Sequence, residues 1–378
     1  MNHRSCRTRR DRPRLAQVVA AICAAVTLSG MVACGPGAAS PSAPAASPSA
    51  AGEAASTAAS RPAVPAPAAP QKVTMVLSWV GYQPHHMPFW LARERGWYSE
   101  QGLDVTIEDS RGYSQVMQFL AADKTEFGLV GASSLAQAAA KQNVPIKMVA
   151  LVQQKENNSL RYFLSSGIRT PKDLEGRSAG LVGGSIQELL LPAFGRAAGF
   201  DASKVEVIHV DIQTSGRAFA AGQFDLTNAA VGSADTTIYE RKGTPTGQFV
   251  YADYLPLLGP GIAVTNKTLA ERPALVQGFT KATQRALEYM ITSPREAVLE
   301  ASEVVARNVQ GAPEGDLVAE AAFEAVPSLM VSKSTEGKPA GWSSPDDWRQ
   351  MIELLRQYDE FPRVPSVDEL MTNQFVES

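Results

Sequence analysis

The stretch Lys72-Val73-Thr74-Met75-Val76-Leu77-Ser78-Trp79-Val80-Gly81-Tyr82-Gln83-Pro84-His85-His86-Met87-Pro88-Phe89-Trp90 decides how the rest of the chain is read. Val73, Met75 and Leu77 alternate with polar neighbours, the period of a half-buried strand. From Met87 to Tyr98 the apolar spacing becomes helical. A strand therefore passes through an aromatic, polar loop into a helix. Gly102 then turns the chain into a second strand, residues 103–107. Strands alternating with helices build parallel sheets covered by helices. In such sheets ligands sit beyond the carboxyl ends of strands, where this loop begins.

Working outward, the alternation continues. Residues 113–122 read as a helix and 127–130 as a strand. Ser133 or Ser134 suits the N-cap of a helix ending at Lys141. Strands follow at 146–152 and 161–165. Around Gly167 the series restarts, with a strand at 177–182, a helix at 185–198, and strand, helix, strand at 205–210, 216–221 and 226–231. Residues 249–251 close this series and 261–265 form an apolar return strand. Helical stretches follow at 273–291, 294–306, 314–325 and 346–358. The expected fold class is α/β, with two lobes of parallel-rich sheet joined at a hinge. The first lobe spans 71–166, the second 167–255, and 256–378 returns to the first lobe with C-terminal helices. The cleft between the lobes is the expected ligand site.

The ends of the chain differ from the body. Residues 1–33 carry six Arg and one Asp, while the chain as a whole carries −3, so the remainder is at −8. An acidic body makes a poor nucleic-acid partner. The arginines precede an apolar run, residues 15–28, and then Met31-Val32-Ala33-Cys34-Gly35, the order of a secretory signal. This segment resembles a bacterial lipobox, with Cys34 as the lipidated (palmitate-bearing) residue and Met31 where Leu is usual. Arg9-Arg10 lacks the flanks of a twin-arginine signal. The alternative, a plain anchor helix, is short of the ~20 residues a span needs. Residues 34–70 are mostly Ala, Pro, Ser and Gly and read as a disordered tether of roughly 30–35 Å mean reach. The cysteines are Cys6, Cys23 and Cys34, so the body has neither a disulfide nor a thiol nucleophile.

The aromatic loop holds two of the three body histidines and two of the five tryptophans. Trp79, Tyr82 and His85 are candidate ligand contacts, because aromatic faces stack on planar ligands and histidine donates or accepts hydrogen bonds. Phe89 and Trp90 read as core. Adjacent His85 and His86 point apart on a regular element and make a poor metal site. Other strand ends supply Arg111, Ser133, Ser134, Gly184, Ser185 and Asn228. Arg111 suits an anionic head group or a surface ion pair. Gly183-Gly184 suits a ligand-facing helix start or a tight turn, and lacks dinucleotide spacing. Asp253, within Tyr251-Ala252-Asp253-Tyr254, could close the pocket or serve packing. Trp342 and Trp348 read as lobe packing. No nucleophile elbow, H-E-x-x-H or Walker sequence is present.

Two segments carry a family resemblance. Phe89-Trp90-Leu91-Ala92-Arg93-Glu94-Arg95-Gly96-Trp97-Tyr98-Ser99-Glu100-Gln101-Gly102-Leu103-Asp104-Val105 resembles the opening of the substrate-binding proteins of ABC importers for sulfonates, nitrate, taurine and thiamine-pyrimidine precursors. Ile168-Arg169-Thr170-Pro171-Lys172-Asp173-Leu174-Glu175-Gly176 resembles that family's inter-lobe marker. The resemblance covers roughly residues 72–300. It implies the type 2 periplasmic-binding fold, with ligand held between closing lobes. Trp79 and His85 match the spacing of the pyrimidine-precursor branch, but the residues between them do not. The family also includes a fungal pyrimidine synthase with a cysteine-rich motif that this body lacks.

The expectation is an exported, lipid-anchored binding protein at the outer face of the cytoplasmic membrane. It would be a monomer without cofactor or metal, presenting a small organic solute to an ABC permease. An enzyme on the same fold and a ligand-sensing lipoprotein are the alternatives.

Overall fold

The computed structural model describes residues 69–79, 83–310 and 312–376, less the side chains of Ile212, Glu324 and Pro327. The leader, Cys34, the tether and Tyr82 lie outside the described residues. The described residues fall in one compact unit.

Its strands make two five-stranded sheets. The first contains β1 (Gln71–Val76), β2 (Leu103–Glu108), β3 (Phe127–Gly131), β4 (Ile146–Leu151) and β10 (Pro260–Thr265), in the order β2-β1-β3-β10-β4. The second contains β5 (Asn158–Phe163), β6 (Ser178–Leu181), β7 (Glu206–His209), β8 (Leu226–Ala230) and β9 (Thr246–Val250), in the order β7-β6-β8-β5-β9. Between the strands of the first sheet run α1 (Met87–Glu94), α2 (Trp97–Glu100), α3 (Tyr113–Ala121) and α4 (Ala132–Gln142). The second sheet carries α5 (Ile186–Leu189), α6 (Leu191–Ala198), α7 (Ile212–Ala220) and α8 (Asp235–Arg241). After β10 come α9 (Asn266–Glu271), α10 (Pro273–Thr292), α11 (Pro294–Asn308), α12 (Gly315–Leu329), α13 (Pro345–Tyr358) and α14 (Val367–Leu370). Among the described residues no helix is long and apolar enough to cross a membrane.

Each sheet contains one strand that runs against the others. β5 is antiparallel to β8 and β9, and β10 is antiparallel to β3 and β4. These are the strands delivered by the two passages between sheets, residues 152–157 and 251–259. A chain entering a sheet from its carboxyl edge must run backwards through it. The two passages lie side by side. Glu156 N–H donates to the Leu257 carbonyl at 3.0 Å, and Val152 N–H to that of Pro260 at 2.9 Å. Gly259 permits this approach: a Cβ there would stand 2.6 Å from the Lys155 carbonyl oxygen. The C-terminal end of α12 adds a third strap, its Leu329 carbonyl accepting from Gln154 N–H at 2.6 Å.

The first lobe is held by an aromatic stack. Phe279 of α10 lies 3.8 Å, centroid to centroid, from Phe127 of β3 and 4.9 Å from Tyr98 of α2, with Phe89 of α1 at 6.4 Å. Tyr98 Oη and Thr283 Oγ1 share a hydrogen bond of 2.8 Å, which satisfies the one polar atom in the stack. In the second lobe, Phe194 of α6 stacks on Tyr251 at 4.7 Å, and Phe163 of β5 on Phe219 of α7 at 4.3 Å.

Several expectations shift. The helix expected over 87–98 breaks at Gly96, whose φ of 70° suits only a residue without a side chain. The cap expected from Ser133 or Ser134 is absent, since α4 starts at Ala132 with Gly131 in the cap position. β5 starts three residues earlier than expected and belongs to the second sheet, so the lobes divide within 152–157 and not at 166. Gly167 turns the chain inside the second lobe; its turn signal resembles a boundary without being one. α8, unexpected from the sequence, has two β-branched Thr among its first three residues, which weakens its helical signal.

Replacing Phe279 with Ala removes the ring at the centre of the first-lobe stack. The expected loss is about 3–5 kcal/mol of unfolding free energy, measured by denaturant titration. A loss below about 1 kcal/mol would mean that the stack does not hold this lobe.

Candidate functional site

The carboxyl ends of β1, β2 and β3 face the second lobe, and those of β6 and β8 face the first. The passages between the sheets form the floor. Here the first strand ends in Ser78 and Trp79, and a single turn, Pro84–His86, carries His85 inward ahead of α1. His85 Nε2 lies 3.4 Å from Ser78 Oγ, and His85 Nδ1 lies 3.5 Å from Asn157 Nδ2. Asn157 belongs to the first passage, so this contact ties the aromatic loop to the floor. Asn157 N–H donates to the Glu156 carboxyl at 3.0 Å. Tyr113, at the start of α3, hydrogen-bonds Ser78 and comes close to Glu156. Its ring lies against Gly131, leaving no room there for a Cβ.

Ser78, His85, Glu156 and Asn157 are all buried. Burial costs a charged group more than a neutral one, and the titrations shift accordingly. Burial, and then the neighbouring His86, hold His85 well below its usual range. Burial raises the Glu156 carboxyl to about 7, opposed by backbone N–H groups of Asn157 and Asn158. Burial and then Glu156 push the Tyr113 phenol well up. Glu156 is 2% exposed and makes no ion pair with any described residue. The result is a nest of weakly charged donors and acceptors. With Asn157 Nδ2 donating to Nδ1, the neutral His85 ring carries its proton on Nε2, toward Ser78. Above them Trp79 is 38% exposed, its indole beside Gly112.

The second lobe supplies a stiff rim. Asn228 Oδ1 accepts from Val182 N–H at 2.7 Å, and its Nδ2 donates to Ser185 Oγ at 3.3 Å. Ser185 caps α5 by accepting from Glu188 N–H. Gly184 N–H donates to Glu188 Oε2 at 2.6 Å. Gly184, Ser185 and Asn228 thus come together as one strand-to-helix turn. Arg161 of β5 is buried, its Nη2 donating to Ser233 Oγ at 2.8 Å and Thr236 Oγ1 at 3.0 Å.

Of the other candidates, Ser133 does not join this group. Ser133 turns into the core, where its hydroxyl meets Met351 Sδ at 3.4 Å, because the helix starts two residues earlier than a Ser133 cap requires. Ser134, next along α4, is half-buried. Arg111 and Asp253 are exposed. Sequence reasoning missed Ser78, Tyr113, Glu156, Asn157 and Arg161. The available signal was the polar run Gln153-Gln154-Lys155-Glu156-Asn157-Asn158, which reads as a solvated loop until both sheets are seen to enclose it. Among the described residues no three His, Cys, Asp or Glu side chains gather to hold a metal.

Residues 83–297, more than half of the chain, match the family described as NMT1/THI5 like, and the chain belongs to that family. The formylaminopyrimidine-binding protein of Halalkalibacterium halodurans is 23% identical over 291 residues, covering 76% of this chain and 86% of that protein. The riboflavin-binding protein RibY of Chloroflexus aurantiacus is 25% identical over 318 residues, covering 81% and 86%. The 4-amino-5-hydroxymethyl-2-methylpyrimidine phosphate synthase of Aspergillus parasiticus is 25% identical over 298 residues, covering 75% and 83%. The periplasmic aliphatic sulphonate binding protein SsuA of Escherichia coli shares the fold, with a TM-score of 0.62 at 15% identity over 79% of this chain and 91% of that one.

Glu156 makes stability fall as pH rises. Its folded value of about 7 stands above its ordinary 4.5. Its contribution is therefore complete below pH 4.5 and is lost as pH rises through 7, a change on the order of 3 kcal/mol. His85 shifts the other way and loses stability on acidification, so the comparison must be with a variant. Glu156→Gln should gain on the parent protein as pH rises from 5 to 8, measured as the difference in unfolding midpoint. Parallel curves would show that the carboxyl is not buried as described.

Proposed function

We propose that the protein captures a small organic solute between its two lobes, outside the cytoplasm, and presents it to the permease of an ABC importer. The observation that carries this reading is the buried, weakly charged group Ser78, His85, Glu156 and Asn157 at the junction of two sheets, with Trp79 exposed above it. A lone buried carboxyl costs free energy that packing alone does not require. Neutral donors and acceptors beneath an aromatic platform suit a planar heteroaromatic solute better than a strongly anionic one. Arg161 is partly engaged, its Nη2 by Ser233 and Thr236 and its Nη1 3.5 Å from Asp235, while its Nε is left without a hydrogen-bond partner among the described residues. The pyrimidine- and riboflavin-binding relatives favour the same class. The rim at Gly184, Ser185 and Asn228 would close on the solute from the opposite side, with Ser134, Arg111 and Asp253 as peripheral contacts. Lipidation at Cys34 would keep the protein at the outer face of the membrane, and the tether would let it reach its permease.

A second reading, an enzyme on this fold, has support in the synthase-named relative, although the His85 tautomer set by Asn157 turns an N–H and not a basic nitrogen toward Ser78. It requires turnover, whereas capture returns the solute unchanged.

A thermal-shift screen over pyrimidines, thiamine precursors, riboflavin, sulfonates, nitrate and aromatic acids separates these readings. At least one heteroaromatic compound should raise the melting temperature and be recovered intact. Trp79→Ala should then weaken binding about tenfold, the loss of one ring contact. If no compound stabilises the protein and none copurifies by mass spectrometry, capture fails; a chemically altered compound would favour the enzyme.

A further inference from the structure

Two contacts between the lobes, away from the cleft, end on α12. Arg241, the last residue of α8, places Nη2 2.9 Å from Asp316 Oδ2 and 3.0 Å from Glu320 Oε2. Asp316 and Glu320 stand four residues apart on α12, so their carboxylates share one face of the helix. The opposite face buries Val318, Ala322 and Val326 in the first-lobe core, which fixes α12 to that lobe. Farther along α12, Ala325 and the loop residue Pro84 close around Gly232 of the second lobe. A Cβ on Gly232 would meet Ala325 Cβ and Pro84 Cγ at 2.5 Å, and its φ of 80° also demands glycine. Rotation about the passages 152–157 and 251–259 that draws β8 away from the Pro84 turn must break both contacts.

The ion pairs of the described residues set Arg241 apart. Arg95–Glu300, Arg285–Glu100, Arg307–Glu94 and Lys141–Asp359 stay within the first lobe. Arg177–Asp225, Lys204–Glu175 and His209–Glu188 stay within the second. Only those of Arg241 cross from one to the other.

We propose that Arg241, Asp316 and Glu320 form an ionic clasp that sets how much of the protein is closed before any solute arrives. Arg241 is then a positioning residue that never touches the solute. The proposal rests on the reading of the cleft as one that opens and closes. All three side chains are partly exposed, so the clasp is weak and is screened by salt. Weakness suits the role. An open–closed ratio near balance moves several-fold with a small bias, and apparent affinity scales with the closed fraction. A buried, strong pair would lock the cleft against release.

Hydrogen–deuterium exchange on the purified, solute-free full chain tests this. Arg241→Gln should speed exchange several-fold in residues 83–90 and 228–236, the two edges of the cleft, and leave α10 unchanged. Raising salt from about 20 mM to about 500 mM should do the same to the parent protein. Reversing the charges, with Arg241→Glu combined with Asp316→Lys and Glu320→Lys, should restore slow exchange. Arg349→Gln, which breaks an exposed pair inside α13, should change neither edge. Unchanged exchange in Arg241→Gln overturns the clasp. Acceleration that extends through α10 also overturns it, because that reports general destabilisation and not opening. No solute enters the experiment, so the clasp can fail while capture stands, and capture can fail while the clasp stands.

Discussion

The Glu156 N–H to Leu257 carbonyl hydrogen bond, 3.0 Å long, joins the two passages on which the rest of the molecule depends. Each sheet is completed by a strand the other half of the chain delivers, β5 in one and β10 in the other. Neither lobe can form alone in its final order. The passages must lie close enough to bond, and Gly259 provides the clearance. Once they do, the side chain of Glu156 is almost wholly withdrawn from water. The mechanical requirement of a narrow junction thus creates the chemical peculiarity of the site.

That peculiarity sets what the cleft can hold. A buried carboxyl held near neutral pKa and a histidine kept uncharged give donors and acceptors without a strong field. Arg161 is buried at this junction, and its guanidinium is engaged by Ser233, Thr236 and, at 3.5 Å, Asp235. The relatives named for a formylaminopyrimidine and for riboflavin point to ligands of that kind, while the sulphonate-binding structure shares only the fold.

Much of the fold was legible because the alternation of Val73, Met75 and Leu77 and the helical spacing from Met87 are local signals. The series of strands and helices to Thr265 followed in the same way. What failed was local too. β5 begins with Asn158 and Ser159, which carry no apolar alternation, so its start and its lobe were misread. Trp79 and His85 could be proposed from residue type and from their place after the first strand. Glu156 and Asn157 could not be, because a polar run between strands looks identical whether water or two sheets surround it. Ser133 shows the reverse error: a residue suited to capping is turned inward by a helix that starts at Ala132.

The most direct test is a crystal structure of the protein with a solute bound. The account predicts electron density between Trp79 and the Gly184–Asn228 rim, within hydrogen-bond distance of His85 or Glu156. Density confined to an outer face, with Ser78, His85, Glu156 and Asn157 untouched, would contradict it.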